Sequence, residues 1–69
     1  MGDPRLLNRL KEARAAAGLT QAGLADLARV SRKTINTVEN GVYIPSTVLA
    51  LTLARALDTT VEALFELAE

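Results

Sequence analysis

Four side chains between Ser31 and Asn40 are of types that could do chemistry together: Arg32, Lys33, Asn36 and Thr37. At 3.6 residues per turn their spacing places them on one side of a short helix, with Ile35 and Val38 on the other. What they offer is hydrogen bonding to nucleic-acid bases. Arg and Lys donate to guanine O6 and N7, Asn pairs bidentately with adenine, and the Thr methyl packs on the methyl of thymine. The same four residues also describe an ordinary solvated helix face, and by themselves they do not separate the two readings.

A reading face needs a rigid mount, and the surrounding sequence predicts one. Thr20 is placed to cap a helix whose inward face is Leu24, Leu27 and Ala28, and Arg29-Val30 make a short turn. Ser31 then caps the polar helix, and Asn40-Gly41 stop it with a glycine suited to the left-handed position after a helix end. Upstream, Asp3-Pro4 combine a capping carboxylate with proline at a first helical position. They predict a helix to about Ala17 with Leu6, Leu7, Leu10, Ala13 and Ala17 as its buried stripe and Gly18 at its end. Downstream, Pro45 and Ser46 open a fourth helix to about Leu57. A fifth starts at Thr60 with Val61, Leu64, Phe65 and Ala68 inward.

The order and spacing of these pieces carry a resemblance. Leu19-Thr20-Gln21, Leu24-Ala25, Val30-Ser31-Arg32, Ile35, Glu39-Asn40-Gly41, Pro45-Ser46, Leu51, Ala54, Ala56-Leu57 and Leu64-Phe65 follow one another as in the Cro/phage-repressor (XRE) helix-turn-helix domains. Between Leu19 and Phe65 the chain resembles that family throughout. The resemblance implies an all-α, compact five-helix, lambda-repressor-like domain over residues 1–69, with the helix-turn-helix proper at 20–41. It implies a sequence-specific, double-stranded-DNA-binding transcriptional regulator, expected to act as a homodimer on an inverted-repeat operator. It places Gln21 and Ser31–Thr37 at the major groove and Asn40 near a phosphate, and it pairs Arg14 with Glu39 to tie the first helix to the third. On this reading Arg32, Lys33, Asn36 and Thr37 read bases, and Gln21, Ser31, Asn40 and Arg29 position the backbone.

Three positions depart from the pattern. Gly23 stands where a glutamate or glutamine completes a capping box with Thr20, at a cost of up to ~1 kcal/mol of helix propensity. Arg29 stands where the turn has glycine, and a left-handed backbone there is strained by roughly 1–2 kcal/mol, which invites a remodelled turn. Asp58 stands where the family often has glycine, a position aspartate tolerates better than most residues.

Composition narrows the function classes. The chain has 69 residues, with no cysteine and no histidine. At this size folding buries only ~60% of the unfolded surface, so a partner subunit would help. Disulfides, thiolate or imidazole zinc sites and histidine-based catalysis are unavailable from one chain, so neither enzyme activity nor a cofactor is expected. The aromatic fraction of 3% argues against a single-strand binder that stacks bases on rings. The longest apolar run, Val48 to Ala54, is too short to cross a bilayer, and no leader segment precedes the fold, so a cytoplasmic location is expected. Net charge is zero, yet residues 1–39 carry seven cations against four anions and residues 40–69 carry one against four. The basic half holds the polar helix.

Remaining features bear on partners. In the fourth helix Ala50, Leu51, Ala54 and Leu57 suit the core, while Leu49, Leu53 and Ala56 make a second stripe, with Val48 on another side. With Leu67 from the last helix, Leu49, Leu53 and Ala56 form the expected homodimer contact, the alternative being scattered surface leucine. Tyr43 reads as core filler or as a hydroxyl on the DNA backbone, with filler preferred. Lys11 reads as a solvated charge, and Arg9 is open between that and a phosphate contact. The alternative function is an antitoxin-type module that binds a second protein partner as well as its own promoter. The chain ends at Glu69 soon after the last predicted helix, so no wrapping tail is expected. A third reading, a helical interaction domain without DNA binding, has only the zero net charge in its favour.

Overall fold

The computed structural model describes residues 5–68. Five helices follow one another: α1 Leu10–Ala16, α2 Gln21–Ala28, α3 Arg32–Glu39, α4 Thr47–Ala56 and α5 Val61–Leu64. Two short strands, β1 Leu6–Asn8 and β2 Phe65–Leu67, bring the ends of the described chain together. They pair antiparallel, with Leu6 opposite Leu67, Leu7 opposite Glu66 and Asn8 opposite Phe65. The fold is therefore mainly helical with a minor sheet, a departure from the all-α expectation.

Four helices start as hydroxyl capping dictates, because each cap accepts a backbone N–H that has no partner inside the helix. The acceptors are Thr20 for the Gly23 N–H, Ser31 for Thr34, Ser46 for Leu49 and Thr60 for Ala63. The turns end as left-handed residues. Gly41 closes α3 at φ 73°, and Arg29 and Asp58 hold the same backbone region at φ 59° and 54° without being glycine. The turn between α2 and α3 is thus not remodelled: it keeps the left-handed geometry with arginine in it, held by Val30 N–H donating to the Ala25 carbonyl at 3.0 Å.

The core is Leu10, Leu24, Ala25, Ala28, Ile35, Val38, Ala50, Leu53, Ala54, Leu64 and Phe65. Several expectations are corrected by it. The Asp3-Pro4 helix start lies outside the described residues, and Leu6 to Asn8 are strand, not helix, because the segment Phe65–Leu67 returns to satisfy their backbone groups. Leu7 and Ala17 face solvent. On α2 the buried partner of Leu24 and Ala28 is Ala25, while Leu27 is 56% exposed: α4 packs closely against α2, and the small side chain takes the inner side. On α4 the inward face is rotated from the expected one, with Leu53 fully buried and Leu51 58% exposed. Leu53 is therefore a core residue and is removed from the partner contact. Leu49 and Ala56 pack half-buried against the core, and Leu67 is 74% exposed. The last helix ends after one turn and continues as β2, since Phe65 takes an extended backbone to meet Asn8. Tyr43 is exposed, so it is not core filler.

Candidate nucleic-acid interface

α3 is amphipathic in the sense its sequence dictates. Ile35 and Val38 are fully buried, and Arg32, Lys33 and Asn36 are exposed. Neither Arg32 nor Lys33 makes an ion pair or side-chain hydrogen bond among the described residues, and both keep their full donor capacity. Gln21, at the first turn of α2, lines a shallow open cleft with Arg32, Lys33 and Asn36. Thus the start of α2 and the outward face of α3 form one polar surface, although they lie a turn apart in sequence.

The remaining expected site residues are placed as follows. Asn40 Nδ2 donates to Asn36 Oδ1 at 3.2 Å, so the two amides form a pair along the helix edge. Asn36 keeps its own amide protons and one oxygen lone pair for further hydrogen bonds. Thr37 is half-buried and its hydroxyl donates to the Thr34 carbonyl at 3.0 Å, which commits the hydroxyl to the helix and leaves the methyl as its means of contact. Ser31 is occupied as the cap and lies 2.9 Å from the Thr34 hydroxyl. Arg29 is exposed beside the start of α3. A second shallow groove on the other side of Lys33 is lined by Ser31, Thr34, Thr37, Val42 and Tyr43.

The mount of this surface is electrostatic as well as apolar. Arg14 Nε lies 2.5 Å from Glu39 Oε2 and its Nη2 donates to Oε1 at 3.2 Å, while Nη1 donates to the Leu19 carbonyl at 2.8 Å. Gln21 Nε2 donates to the same Oε1 at 3.1 Å, so α1, α2 and the end of α3 meet on one carboxylate. Burial pushes the Glu39 carboxyl up, but the hydrogen bonds from Arg14 and Gln21, with the charges of Arg14 and Lys11, outweigh it and hold its pKa below the ordinary value. The hydrogen bond to Glu39 raises the pKa of Arg14 further still. Arg9, open between a solvated charge and a phosphate contact, pairs with Glu66 of β2 at 2.5 Å, both side chains exposed. Asn8, which is not among the expected site residues, also reaches α3: its Nδ2 donates to the Val38 carbonyl at 2.7 Å, and its Oδ1 accepts the Leu10 N–H.

Among the described residues there is no cluster of acidic side chains that could hold a metal ion, and no helix is long and apolar enough to cross a membrane. Residues 10–64 match the family described as Helix-turn-helix. The chain is 39% identical over 62 residues to the HTH-type transcriptional regulator YgzD of Bacillus subtilis, covering 90% of this chain and 94% of that one. It is 43% identical over 58 residues to the HTH-type transcriptional regulator MJ0272 of Methanocaldococcus jannaschii, covering 84% and 88%. Among solved structures it is similar to the restriction-modification controller protein C.AhdI from Aeromonas hydrophila. The TM-score is 0.75 and the identity 42%, over 78% of this chain and 82% of that one.

Proposed function

The chain belongs to the helix-turn-helix family of DNA-binding transcriptional regulators, and we propose that it is sequence-specific and binds an inverted-repeat operator as a homodimer. The observation that carries the reading is the exposed set Arg32, Lys33 and Asn36 on one face of α3, with both cations unpaired among the described residues and the Asn36 amide bonded only through its oxygen to Asn40, on a helix whose other face is fully buried. α3 enters the major groove. Arg32 and Lys33 donate to guanine edges or adjacent phosphates, Asn36 pairs with adenine, and the Thr37 methyl meets a thymine methyl. Gln21 donates one amide proton to Glu39 and has a second for a phosphate, and the exposed Asn40 and Arg29 flank α3 on the backbone. Ser31 contributes by fixing the start of α3.

A twofold dimer presents two copies of α3 about 34 Å apart, one turn of DNA. The surface that supports self-association is a groove of about 310 Å³ lined by Leu6, Ile44, Pro45, Leu51, Val61 and Phe65, with exposed Val48 beside Leu51 on α4 and exposed Leu67 opposite Leu6 in the sheet. Leu49 and Ala56, expected at the contact, do not line this groove and pack half-buried against the core. Contiguous exposed apolar side chains are characteristic of protein interfaces.

Selection of bound sequences from a random double-stranded pool tests the reading. Enrichment of an inverted repeat, with half-sites one helical turn apart, is the expected result. A folded sample that enriches nothing at low salt overturns it. Co-purification with a different small protein in place of self-association returns the antitoxin alternative.

A further inference from the structure

We propose that Asn8 is a positioning residue for the reading helix, holding the C-terminal turn of α3 to the sheet formed by the two ends of the described chain; the inference rests on α3 being the element that reads DNA. Asn8 is the last residue of β1 and is half-buried. Its side chain serves two separate backbones. Oδ1 accepts the Leu10 N–H at 3.0 Å, where α1 begins without a cap from Arg9. Nδ2 donates to the Val38 carbonyl at 2.7 Å, in the last turn of α3. The partners fix the orientation of the amide, since an N–H is met only by its oxygen and a carbonyl only by its nitrogen.

The position of Asn8 is itself set from the far end of the chain. Its backbone stands opposite Phe65 in the sheet, and the next N–H, that of Arg9, donates to the Leu64 carbonyl at 2.8 Å. The end of α3 therefore has two side-chain anchors. Arg14 and Gln21 hold the Glu39 carboxylate, and Asn8 holds the carbonyl one residue earlier. The Val38 carbonyl also receives the Gly41 N–H at 3.1 Å, so the anchor reaches the turn that follows the helix.

An eight-residue helix with a loosened end can tilt or slide in its seat. Bidentate contacts to base edges tolerate little displacement, whereas long cationic side chains follow a phosphate through it. Loss of the Asn8 anchor therefore bears on discrimination between sequences more than on attraction to DNA.

The test compares wild type, Asn8→Ala and Asn8→Asp for binding to the selected operator and to a random duplex of equal length. It is run over a salt series at a temperature where every variant is folded by circular dichroism. Ala removes both hydrogen bonds, while Asp keeps the acceptor for Leu10 and sets an oxygen against the Val38 carbonyl. Ser46→Ala, which removes the cap of α4 alone, controls for lost stability without a change at α3. The expected result is a fall of about tenfold in operator affinity for both Asn8 variants, with random-duplex affinity and its salt slope unchanged. Ser46→Ala should bind both duplexes as wild type does. In the free protein, amide exchange at Asn40, Gly41 and Val42 should accelerate in the Asn8 variants and not in the control. Operator affinity within about twofold of wild type, or a loss shared equally by operator and random DNA, overturns the proposal. A wild-type chain that binds no operator sinks the DNA-reading function instead, and the anchor then stands or falls on the exchange at residues 40–42.

Discussion

Arg14 of α1 and Glu39 of α3 are joined by a two-pronged contact, Nε to Oε2 and Nη2 to Oε1, whose carboxylate is 1% exposed in its side chain and also receives Gln21. The arrangement makes one buried charge the meeting point of three helices. Burying a carboxylate is unfavourable, and it is tolerated here because the guanidinium and an amide satisfy both oxygens.

Glu39→Gln should destabilise the fold by about 3 kcal/mol, because it strands the Arg14 cation beside a neutral amide. For a domain of this size that is a large share of total stability. Urea titration reads it, and a cost below about 0.5 kcal/mol would place the pair with ordinary surface bridges. The pH dependence follows from the lowered pKa of Glu39. A depressed carboxyl contributes stability that is fully present above the ordinary unfolded value of about 4.3 and is lost as pH falls through the folded value. Wild type should therefore lose stability on the acid side, and Glu39→Gln should lose less over the same range.

Arg32→Ala and Lys33→Ala should each weaken operator binding by ~1–3 kcal/mol where a base contact is lost, and relax the sequence preference at that position. A residue that contacts only phosphate should instead weaken all duplexes alike and reduce the salt slope by about one. Fluorescence anisotropy on operator and random duplexes separates the two, and unchanged affinity in both variants would count against α3 as the reading element.

Arg29→Gly should raise stability by up to ~1 kcal/mol, since arginine sits at φ 59° where glycine is unstrained, less the extra freedom glycine has when unfolded. In a chain of this length that corresponds to an increase of several degrees in Tm. DNA affinity should fall in the same variant if Arg29 touches phosphate. A lower Tm would show that the arginine makes compensating contacts.

Leu51→Asp and Leu67→Asp should convert a dimer to a folded monomer in analytical ultracentrifugation, because both side chains are exposed in the single chain. Leu53→Ala should act differently and destabilise the monomer by ~2–5 kcal/mol, as expected for truncating a fully buried leucine. A dimer that survives both aspartate substitutions would move the interface elsewhere.

The helix-turn-helix core was legible because its signals are local. Thr20, Ser31, Ser46 and Thr60 each cap the helix that follows, Gly41 stands at a left-handed stop, and Ile35 and Val38 repeat at the helical period. Short-range hydrogen bonding and periodicity need no knowledge of distant chain. The Arg14 and Glu39 pair is a long-range contact, and it was reached through family resemblance, not through any local rule.

What only the tertiary structure decided lies where distant segments compete for the same surface. Leu6 to Asn8 have the composition of a first helical turn, yet the return of Phe65–Leu67 offers backbone partners and draws them into a strand. Leu51 and Leu53 are the same residue type two positions apart. Which of them is buried depends on the rotation of α4 against α2 and α5, and packing put Leu53 inside. Asn8 shows the same limit: its sequence neighbours reveal a possible cap, but the Val38 carbonyl thirty residues away is brought to it only by the folded chain. The sequence by itself determined that five helices form, the hydroxyl caps of α2 to α5 and the polar face of α3, but not where α1 begins or α5 ends. The seating of that face, which rests on long-range contacts to Glu39 and Val38, was set by three-dimensional packing.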